Sequence, residues 1–240
     1  MKTQTYYAQY GEDKILNEIF NKIEGCCVEV GGFDGITGSN SFFFEQLGWS
    51  CLVVEPMPEF CKKIKEVRSC EVEEVAASDK IGEVDFYVAL GVETLSTMEV
   101  DEGHFARIKS LSQHGLEKIT VKTARLDDIL CKYGITAVDF LTIDVEGHEL
   151  SVLGGMSFEK IIPRIIIIED NTHGLDYKLS YFMKSKSYIR FRKTGCNVWY
   201  AKKGDSLVTI WRIFVTEVPI FMYSIKQKIK PFAPKWLTRK

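Results

Sequence analysis

Four consecutive isoleucines, Ile165 to Ile168, constrain the fold of this chain more than any other feature. They lie in the segment RIIIIED, Arg164 to Asp170, which is short, rich in β-branched side chains and typical of a strand. A strand that is apolar at every position must be covered on both faces, and strands of this kind belong to parallel sheets. The segment therefore predicts a parallel sheet covered by helices.

Strand and helix patterns alternate along the rest of the chain. Strands are predicted at 26–31, 50–56, 70–78, 83–90, 118–124, 138–144 and 164–170, followed by a hairpin of 188–194 and 197–203. Helices are predicted at 39–48, 58–68, 126–134, 148–154 and 175–188, the first opened by Ser39 or Asn40. Repeated strand–helix units that end in a hairpin predict a doubly wound α/β sheet with right-handed crossovers.

Length and charge suggest how the chain is organised. A chain of 240 residues with 45% hydrophobic residues can bury a large core, and we expect one domain at 1–204 and an extension at 205–240. The net charge of −2 hides an asymmetry, because residues 218–240 contain six Lys and Arg and no acidic residue, which leaves −8 for the rest. An acidic body argues against nucleic acid as the main partner, since neutralisation of phosphates dominates such binding.

The C-terminal segment 207–225 is apolar for nearly the length of a membrane span, yet it contains Arg212, Glu217 and Pro219. A charge near the centre of a span costs roughly 2.5 to 3.5 kcal/mol. We therefore expect an amphipathic segment that packs on the domain or on a partner enzyme, or that lies on a membrane surface where the basic tail meets anionic headgroups. The alternative is an ordinary solvated tail.

The N-terminus and the cysteines predict the compartment. The first residues, MKTQTYYAQYGEDK, lack the apolar stretch of a signal peptide, and the seven cysteines include no C-x-x-C pair. We expect buried, reduced thiols and a cytoplasmic location, peripheral to a membrane if the tail binds lipid.

The segment VEVGGFDGITGSNS, Val28 to Ser41, begins in the first predicted strand and continues into a loop rich in glycine. Ligands of open parallel sheets bind beyond the carboxyl ends of the strands, and glycines let backbone approach them closely. The loop lacks the G-x-G-x-x-G pattern of dinucleotide sites, and Glu29 and Asp34 would repel a pyrophosphate. Both suit the amino group and sulfonium of S-adenosylmethionine, while Glu55 can accept the two ribose hydroxyls. The alternative is a tight turn without a ligand.

Acidic and amide side chains follow two further strands at the same predicted edge of the sheet. They are Asp144, Glu146 and His148 in IDVEGHE, and Glu169, Asp170, Asn171 and His173 after the isoleucines. Asp144, Glu169 and Asn171 are predicted to bind Mg²⁺ or Mn²⁺, or to orient an acceptor. Glu146 or His148 is predicted to take the proton of that acceptor. The alternative is that these residues only cap strands and helices.

Other side chains have weaker claims to a role. His104 and His114 lie in a polar insertion that forms either a lid over substrate or plain surface. The N-terminal tyrosines would stack on a sugar ring or pack as a staple at the start of a helix; they are Tyr6, Tyr7 and Tyr10.

Taken together, these motifs resemble the FkbM-type methyltransferases. The resemblance covers about residues 7–203 and rests on VEVGGFDGITGSNS, the pattern E..GW..L.VEP at 45–56, AAS, LDDIL, DFLTIDVEGHELSVLGG and QYGED at 9–13. It implies an α/β, Rossmann-like class I methyltransferase fold, with a mostly parallel seven-stranded sheet, helices on both faces and a C-terminal β-hairpin. The family often has serine at the position of Ser96, which implies that this side chain enters the site. Gly32 departs from the family, in which alanine is commoner at this position, and the smaller residue should be harmless.

The resemblance also implies an activity and a set of site residues. The activity is O-methyl transfer from S-adenosylmethionine to a hydroxyl of a sugar or glycan, assisted by a metal in one version. The residues implied to bind the methyl donor are Gln9, Glu29, Gly31, Gly32, Asp34, Ser39, Asn40, Glu55, Pro56, Ala77, Ser78 and Asp79. The alternatives are an NAD-dependent oxidoreductase or sugar epimerase on the same fold, and a binding module without catalysis.

Overall fold

A computed structural model describes residues 5–22, 24–98, 108, 110, 111 and 115–229 of the protein. The helices are α1 (Glu12–Phe20), α2 (Phe42–Gln46), α3 (Pro58–Val67), α4 (Leu126–Lys132), α5 (Glu149–Gly154), α6 (Tyr177–Ser185) and α7 (Ile210–Ile229). The strands are β1 (Cys26–Val30), β2 (Ser50–Val54), β3 (Glu71–Glu73), β4 (Ala76–Ser78), β5 (Gly82–Ala89), β6 (Leu116–Arg125), β7 (Phe140–Ile143), β8 (Ile165–Glu169), β9 (Tyr188–Thr194) and β10 (Asn197–Lys202).

Seven strands form one sheet in the order β3-β2-β1-β7-β8-β10-β9. The pairs β1–β2, β1–β7, β2–β3 and β7–β8 are parallel, whereas β9 and β10 form an antiparallel hairpin. The four isoleucines of β8 are buried, as their sequence predicts. The mostly parallel seven-stranded sheet with its C-terminal hairpin is thus confirmed, and β1, β2, β7 and β8 present their carboxyl ends at one edge.

Tertiary contacts divide the chain into a first unit, Met1–Glu169, and a second unit, Asp170–Lys240. Within the second unit, α6 and α7 both contact β9, so the hairpin and these two helices fall together. The boundary between the two units follows Glu169, whereas the sequence predicts a boundary between residues 204 and 205. That residues 1–204 act as one methyltransferase domain stays a prediction.

An aromatic cluster packs beneath the opposite, amino edge of the first unit's sheet. Phe44 and Trp49 lie with ring centroids 4.6 Å apart, and Phe44 lies 4.9 Å from Phe140, the first residue of β7. Nearby, Lys22 pairs with Asp139 at 2.5 Å. Large rings and one ion pair thus occupy the amino edge of this sheet.

The predicted strand 70–78 is wrong in one respect, since it is two strands with different partners. β3 pairs with β2, whereas Ala76 to Ser78 pair with β6 in a second sheet of order β4-β6-β5. The sequence VEEVAAS contains no glycine or proline, so its pattern gives no sign of the break.

The first residues of the predicted helix 39–48 are not helical. α2 begins at Phe42, because the side chains of Ser39 and Ser41 and the N–H of Asn40 are all hydrogen-bonded to Glu29. Ser39 still acts on the helix start, since its hydroxyl oxygen accepts the N–H of Phe42 at 3.0 Å.

The second unit has its own core and a long C-terminal helix. Trp199 and Tyr200 of β10 are buried. α7 packs through Thr216 and Ile220, which are buried, and Glu217 forms a bidentate pair with Arg190 of β9 at 2.7 Å. In the part of the chain that the structure describes, no helix is long and apolar enough to cross a membrane.

Candidate functional site

The glycine loop after β1 lies directly against the end of β7. The N–H of Asp144 donates to the carbonyl oxygen of Val30 at 2.9 Å, and Gly31 follows with φ +90°. A Cβ on Gly31 would lie 1.8 Å from the carbonyl oxygen of Asp144. Only glycine fits at this position. The contact brings the glycine loop next to the IDVEGHE motif; we call this loop the donor loop, because it is predicted to bind the methyl donor.

Glu55 fastens the glycine loop to the end of β2. Its Oε2 accepts the N–H groups of Gly32 and Phe33, and its Oε1 accepts that of Met57, each at 3.0 Å. Burial raises the pKa of Glu55 to about 7, against the opposite effect of these three hydrogen bonds. A ribose hydroxyl would have to use what acceptor capacity remains on Oε1. The bidentate ribose contact therefore stays a prediction.

Gly32 is also closely surrounded. A Cβ at this position would lie 2.2 Å from Cγ1 of Val53, which is fully buried in β2. Val53 thus occupies the volume that the alanine Cβ of the common family pattern would need, which explains glycine at position 32.

Glu29 organises the far end of the loop. Its Oε2 accepts the hydroxyls of Ser39 at 2.7 Å and Ser41 at 2.5 Å, and its Oε1 accepts the N–H of Asn40 at 2.7 Å. Arg68 lies 3.4 Å away and compensates its charge. The side chain is in place to shape the donor loop, whereas its direct contact with the methyl donor stays a prediction.

Arg68 is the functional residue that the sequence interpretation missed. Its side chain is buried and donates to the carboxylates of Glu45 and Glu29, the hydroxyls of Ser39 and Ser41, and the carbonyl of Gly35, at 2.7 to 3.4 Å. The two glutamates raise the pKa of Arg68 although burial lowers it, so the guanidinium stays charged. Nothing in KKIKEVRSC distinguishes this arginine from the solvated lysines beside it.

Asp34 is a half-buried carboxylate within the loop. Burial raises its pKa, but hydrogen bonds from the N–H of Ile36 and from Thr37 outweigh that effect and hold the pKa below its usual value. Asp34 is therefore ionised at neutral pH, and it is the loop carboxylate that best keeps the negative charge inferred from the sequence.

Asn40 supplies an acceptor for a cationic ligand. Its Oδ1 atom is buried and accepts no hydrogen bond from the residues that the structure describes. A buried acceptor without a donor is unfavourable, and an ammonium group is a suitable partner for it. The amino group of S-adenosylmethionine fits this need, so the loop residues fit the methyl donor that the sequence predicts.

Three of the residues implied to bind the methyl donor, Ala77, Ser78 and Asp79, lie on β4 and just after it. Ala77 and Ser78 are buried, and the hydroxyl of Ser78 lies 3.3 Å from Nε2 of His148 and 3.3 Å from the carboxylate of Asp79. This contact joins Ser78, which is predicted to bind the methyl donor, to His148, which is predicted to be catalytic. Of the remaining donor residues, Pro56 is half-buried after Glu55 and Gln9 is exposed.

Three carboxylates meet at the carboxyl edge of the first unit. Asp144, Glu146 and Glu169 each place an oxygen within 4.8 Å of the others. Asp144 is exposed, whereas the other two are buried. Glu146 has φ +50°, a left-handed conformation that is uncommon for a residue with a side chain, and its carbonyl accepts the hydroxyl of Thr97 at 2.9 Å.

The sequence prediction brought Asp144 and Glu169 together correctly. Glu146, predicted as a base, is a third member of the same cluster. Asn171, the third predicted metal ligand, belongs to the second unit, as do Asp170 and His173.

The carboxylates of this cluster repel one another. Burial, followed by repulsion from Asp144, Glu146 and Glu149, raises the pKa of Glu169 to about 10. Burial also raises the pKa of Glu149 to about 7, with a contribution from Asp144. Glu169 therefore holds a proton at neutral pH unless a cation replaces it. Bound protons and a hard divalent cation are the two ways in which such a cluster is neutralised.

Of the other candidates, the structure describes Ser96 and the N-terminal tyrosines. Tyr6 packs on Phe43 and Tyr7 on Phe42, with ring centroids 4.6 and 4.7 Å apart, which favours the staple over the sugar platform. The hydroxyl of Ser96 accepts the N–H of Ala89 at 3.1 Å. The roles of Tyr10, His104 and His114 stay predictions. Tyr10 is exposed, and the two histidines lie outside the described residues.

Comparison with known proteins identifies the family. The model of the methyltransferase FkbM domain matches residues 29–189, about two thirds of the chain. No curated protein matches the chain significantly.

Solved structures give only distant similarities. The ribosomal protein L11 methylase of Lactobacillus delbrueckii subsp. bulgaricus has a TM-score of 0.43 and 12% identity, over 79% of this chain and 75% of that one. The precorrin-6y C5,15-methyltransferase of Geobacter metallireducens GS-15 has a TM-score of 0.42 and 12% identity, over 83% and 89%. A SAM dependent methyltransferase of Aquifex aeolicus has a TM-score of 0.38 and 13% identity, over 80% and 89%.

The domain match includes the glycine loop, the end of β2 and the acidic cluster, which are the parts that the geometry brings together. The chain belongs to the FkbM family of methyltransferases, whose methyl donor is S-adenosylmethionine.

Proposed function

We propose that this protein transfers a methyl group from S-adenosylmethionine to a hydroxyl of a sugar or glycan, in the cytoplasm. The observation that carries the proposal is the cluster of Asp144, Glu146 and Glu169, which lies beside the donor loop through the contact between Gly31 and Asp144. Methyl transfer to oxygen needs such groups, because a neutral alcohol is a poor nucleophile and must lose a proton.

The donor loop has the task of alignment. When bound, S-adenosylmethionine supplies an electrophilic methyl group on a cationic sulfur. Asn40 offers a buried acceptor to its amino group, and Asp34 contributes negative charge to the loop. Arg68 and Glu29 hold the loop in shape. Alignment of two reactants can contribute on the order of 7 to 11 kcal/mol to catalysis.

The acidic cluster has the task of activating the acceptor. Asp144 is the exposed carboxylate of the three, and this exposure supports its assignment as the group that accepts a hydrogen bond from the acceptor hydroxyl. Glu146 or His148 takes the proton as the oxygen–carbon bond forms and the carbon–sulfur bond breaks. Glu169 is a poor base in the state described, because it already carries a proton at neutral pH.

We further propose that Mg²⁺ or Mn²⁺ binds Asp144, Glu146 and Glu169, in which case His148 alone takes the proton. Carboxylate oxygens are the ligands that both ions prefer, and a cation would remove the repulsion that raises the pKa of Glu169. The ion would supply a Lewis acid next to the acceptor oxygen. Titration with Mn²⁺, followed by its electron paramagnetic resonance, should show binding that Glu169→Gln weakens. Full activity after dialysis against EDTA would contradict the proposal.

The choice of a glycan acceptor rests on charge and on the family. The first unit contains 16 Lys and Arg against 29 Asp and Glu, which suits a neutral acceptor better than nucleic acid. Sugar hydroxyls are neutral and abundant, and they are common acceptors of the family that the sequence resembles.

The first experiment tests the donor. Isothermal titration calorimetry of the full chain with S-adenosylhomocysteine should give micromolar binding, and NAD should give none. Asn40→Ala should weaken the binding roughly tenfold, since one charged hydrogen bond contributes about 1.5 to 3 kcal/mol. Gln46→Ala is a suitable control, because that residue lies nearby on α2 and contacts only Tyr7 among the bonds described. Binding of NAD in place of S-adenosylhomocysteine would overturn the proposal.

The second experiment identifies the acceptor. The protein is incubated with glycan extracts and S-adenosylmethionine carrying a deuterated methyl group, and mass spectrometry follows the label into sugars. Wild-type protein should transfer the label to a sugar oxygen, whereas Asp144→Asn should not. Label found only on proteins, nucleic acids or other small molecules would refute the glycan and leave the methyltransferase intact.

A further inference from the structure

Helix α7 exposes a continuous arc of large apolar side chains. The exposed residues are Ile210, Trp211, Phe214, Val215, Val218, Phe221 and Met222. At 3.6 residues per turn, these seven positions fall within about 140° of the helix circumference. Thr216 and Ile220 lie on the other side, where they are buried, and Glu217 lies at the edge of the arc beside Ile210, where it pairs with Arg190.

The exposure of this arc is large. Ile210 is 89% exposed, Trp211 70% and Phe221 65%. Single exposed hydrophobic residues are common on protein surfaces, but a contiguous arc of seven marks an interaction surface. An apolar arc on a helix that is too polar to span a membrane is typical of helices that lie in the membrane interface.

Charge separates the two units of the chain. The second unit contains 15 Lys and Arg against 4 Asp and Glu, a net of +11, whereas the first unit has a net of −13. Six of the 15 basic residues lie at 226–240, at the end of α7 and directly after it. Basic residues next to an apolar arc attract the helix to anionic headgroups.

We propose that α7 docks this protein on an anionic phospholipid membrane, with the apolar arc in the headgroup–acyl boundary and the basic residues at the headgroups. A symmetric contact between two copies of α7 would bring together two units that each have a net charge of +11, and their repulsion would oppose the contact. A nucleic acid would satisfy the charge but would leave aliphatic residues such as Val215 and Val218 in water. The membrane satisfies both features.

The experiment uses the full-length protein and vesicles of two compositions. One kind contains phosphatidylcholine with about 30 mol % phosphatidylserine, and the other contains phosphatidylcholine alone. Co-sedimentation should show binding to the anionic vesicles that weakens as NaCl is added. Binding should be at least roughly tenfold weaker with phosphatidylcholine alone. Equal binding to both kinds, or none to either, would overturn the proposal.

The matched variants test which surface binds. The double variant Phe214→Ser/Phe221→Ser removes two aromatic rings from the arc and should weaken vesicle binding roughly tenfold or more. Tyr177→Ser/Tyr181→Ser is the control, because these tyrosines are 75% and 77% exposed on α6 of the same unit. Both double variants should stay folded, since all four side chains are exposed. An equal loss in the two would show that α7 is not the docking surface.

Two further readouts separate the possible occupants of the arc. Trp211 fluorescence should shift to the blue on binding of anionic vesicles, and Trp211→Phe should lose that shift. Analytical ultracentrifugation should show the same oligomeric state for wild type and Phe214→Ser/Phe221→Ser. An oligomer that dissociates in this variant would assign the arc to a second copy and refute the membrane. Displacement of the protein from vesicles by an equal charge of RNA would refute it as well.

This inference does not depend on the methyltransferase proposal. Phe214 and Phe221 lie in the second unit, and the donor loop lies in the first. The double variant should therefore bind S-adenosylhomocysteine as the wild type does. Loss of vesicle binding with unchanged donor binding tests the docking surface alone.

Discussion

Gly31 shows how one residue determines the contact between the donor loop and the acidic cluster. It has φ +90°, and an added Cβ would lie 1.8 Å from the carbonyl oxygen of Asp144, a backbone atom that cannot rotate away. We predict that Gly31→Ala lowers the free energy of unfolding by about 3 kcal/mol or more, as measured by urea denaturation.

Gly48 provides the control for this substitution. It has φ +96°, but an added Cβ would have nothing within 4 Å. Gly48→Ala should therefore cost only the left-handed backbone conformation, about 1 to 2 kcal/mol. Equal losses for the two variants would mean that the close approach to Asp144 does not matter.

Glu55 makes stability depend on pH in an unusual direction. Burial raises its pKa from 4.5 to about 7, so the folded protein binds a proton that the unfolded chain releases between those values. Ionisation of Glu55 therefore destabilises the folded state. This destabilisation is absent below about pH 4.5 and fully present above about pH 7. We predict that this residue lowers the free energy of unfolding by about 1 to 3 kcal/mol as pH rises through that window.

The measurement compares wild type with Glu55→Gln, which cannot ionise. Urea denaturation at about pH 5 and about pH 8 gives the difference in stability between the two proteins, and titrations shared by both cancel. The advantage of wild type over the variant should be larger at the lower pH. A constant difference, or one that grows with pH, would show that Glu55 is not buried with a raised pKa.

At the scale of elements, Arg68 connects the end of α3 to the donor loop and to α2. Its guanidinium is buried and donates to Glu29, Glu45 and Gly35. We predict that Arg68→Met costs about 3 to 5 kcal/mol of stability, because removal of one partner leaves buried charge uncompensated. S-adenosylhomocysteine should also bind at least roughly tenfold more weakly, since the loop loses its shape.

Lys62 is the control on the same helix. It is exposed, and its side chain makes no hydrogen bond or ion pair with the residues that the structure describes, so Lys62→Met should change stability by less than about 0.5 kcal/mol. The two losses are measured by denaturation and by calorimetry. Donor affinity that survives in Arg68→Met would restrict this arginine to folding.

The sequence predicts those parts of the site that follow from parallel strands. Asp144 directly follows β7, and Glu169 is the last residue of the neighbouring strand β8. Because the carboxyl ends of parallel strands meet at one edge of a sheet, the sequence predicts that these two carboxylates lie close together. The glycine pattern likewise predicts a close approach of backbone at Gly31, which the contact with Asp144 explains. Periodicity and strand ends carry this information because both are local.

Other features depend on long-range contacts and are not visible in the sequence. Arg68 resembles a solvated helix end until Glu29 and Glu45 approach it. The change of sheet after Glu73 has no glycine or proline to mark it. Protonation of Glu169 depends on the number of carboxylates around it, which no single motif shows.

At the scale of the whole molecule, a net charge of −2 describes the protein poorly. The first unit has a net of −13 and the second a net of +11, so almost complete cancellation hides two strongly charged regions. Fields of this kind act over about a Debye length, roughly 10 Å at 0.1 M salt, so local charge rather than the net charge of the chain governs contact with a charged surface.

This charge separation predicts the behaviour of the protein on ion exchangers. At pH 7 and low salt, the full-length protein should be retained by an anion exchanger through the first unit and by a cation exchanger through the second. A protein with a uniform net of −2 would bind the cation exchanger poorly. Lys226→Gln/Lys228→Gln should elute from the cation exchanger at lower salt and from the anion exchanger unchanged or later, because two positive charges are lost from the basic end of α7. Passage of the wild type through the cation exchanger without retention would contradict the separation of charge on which the membrane proposal depends.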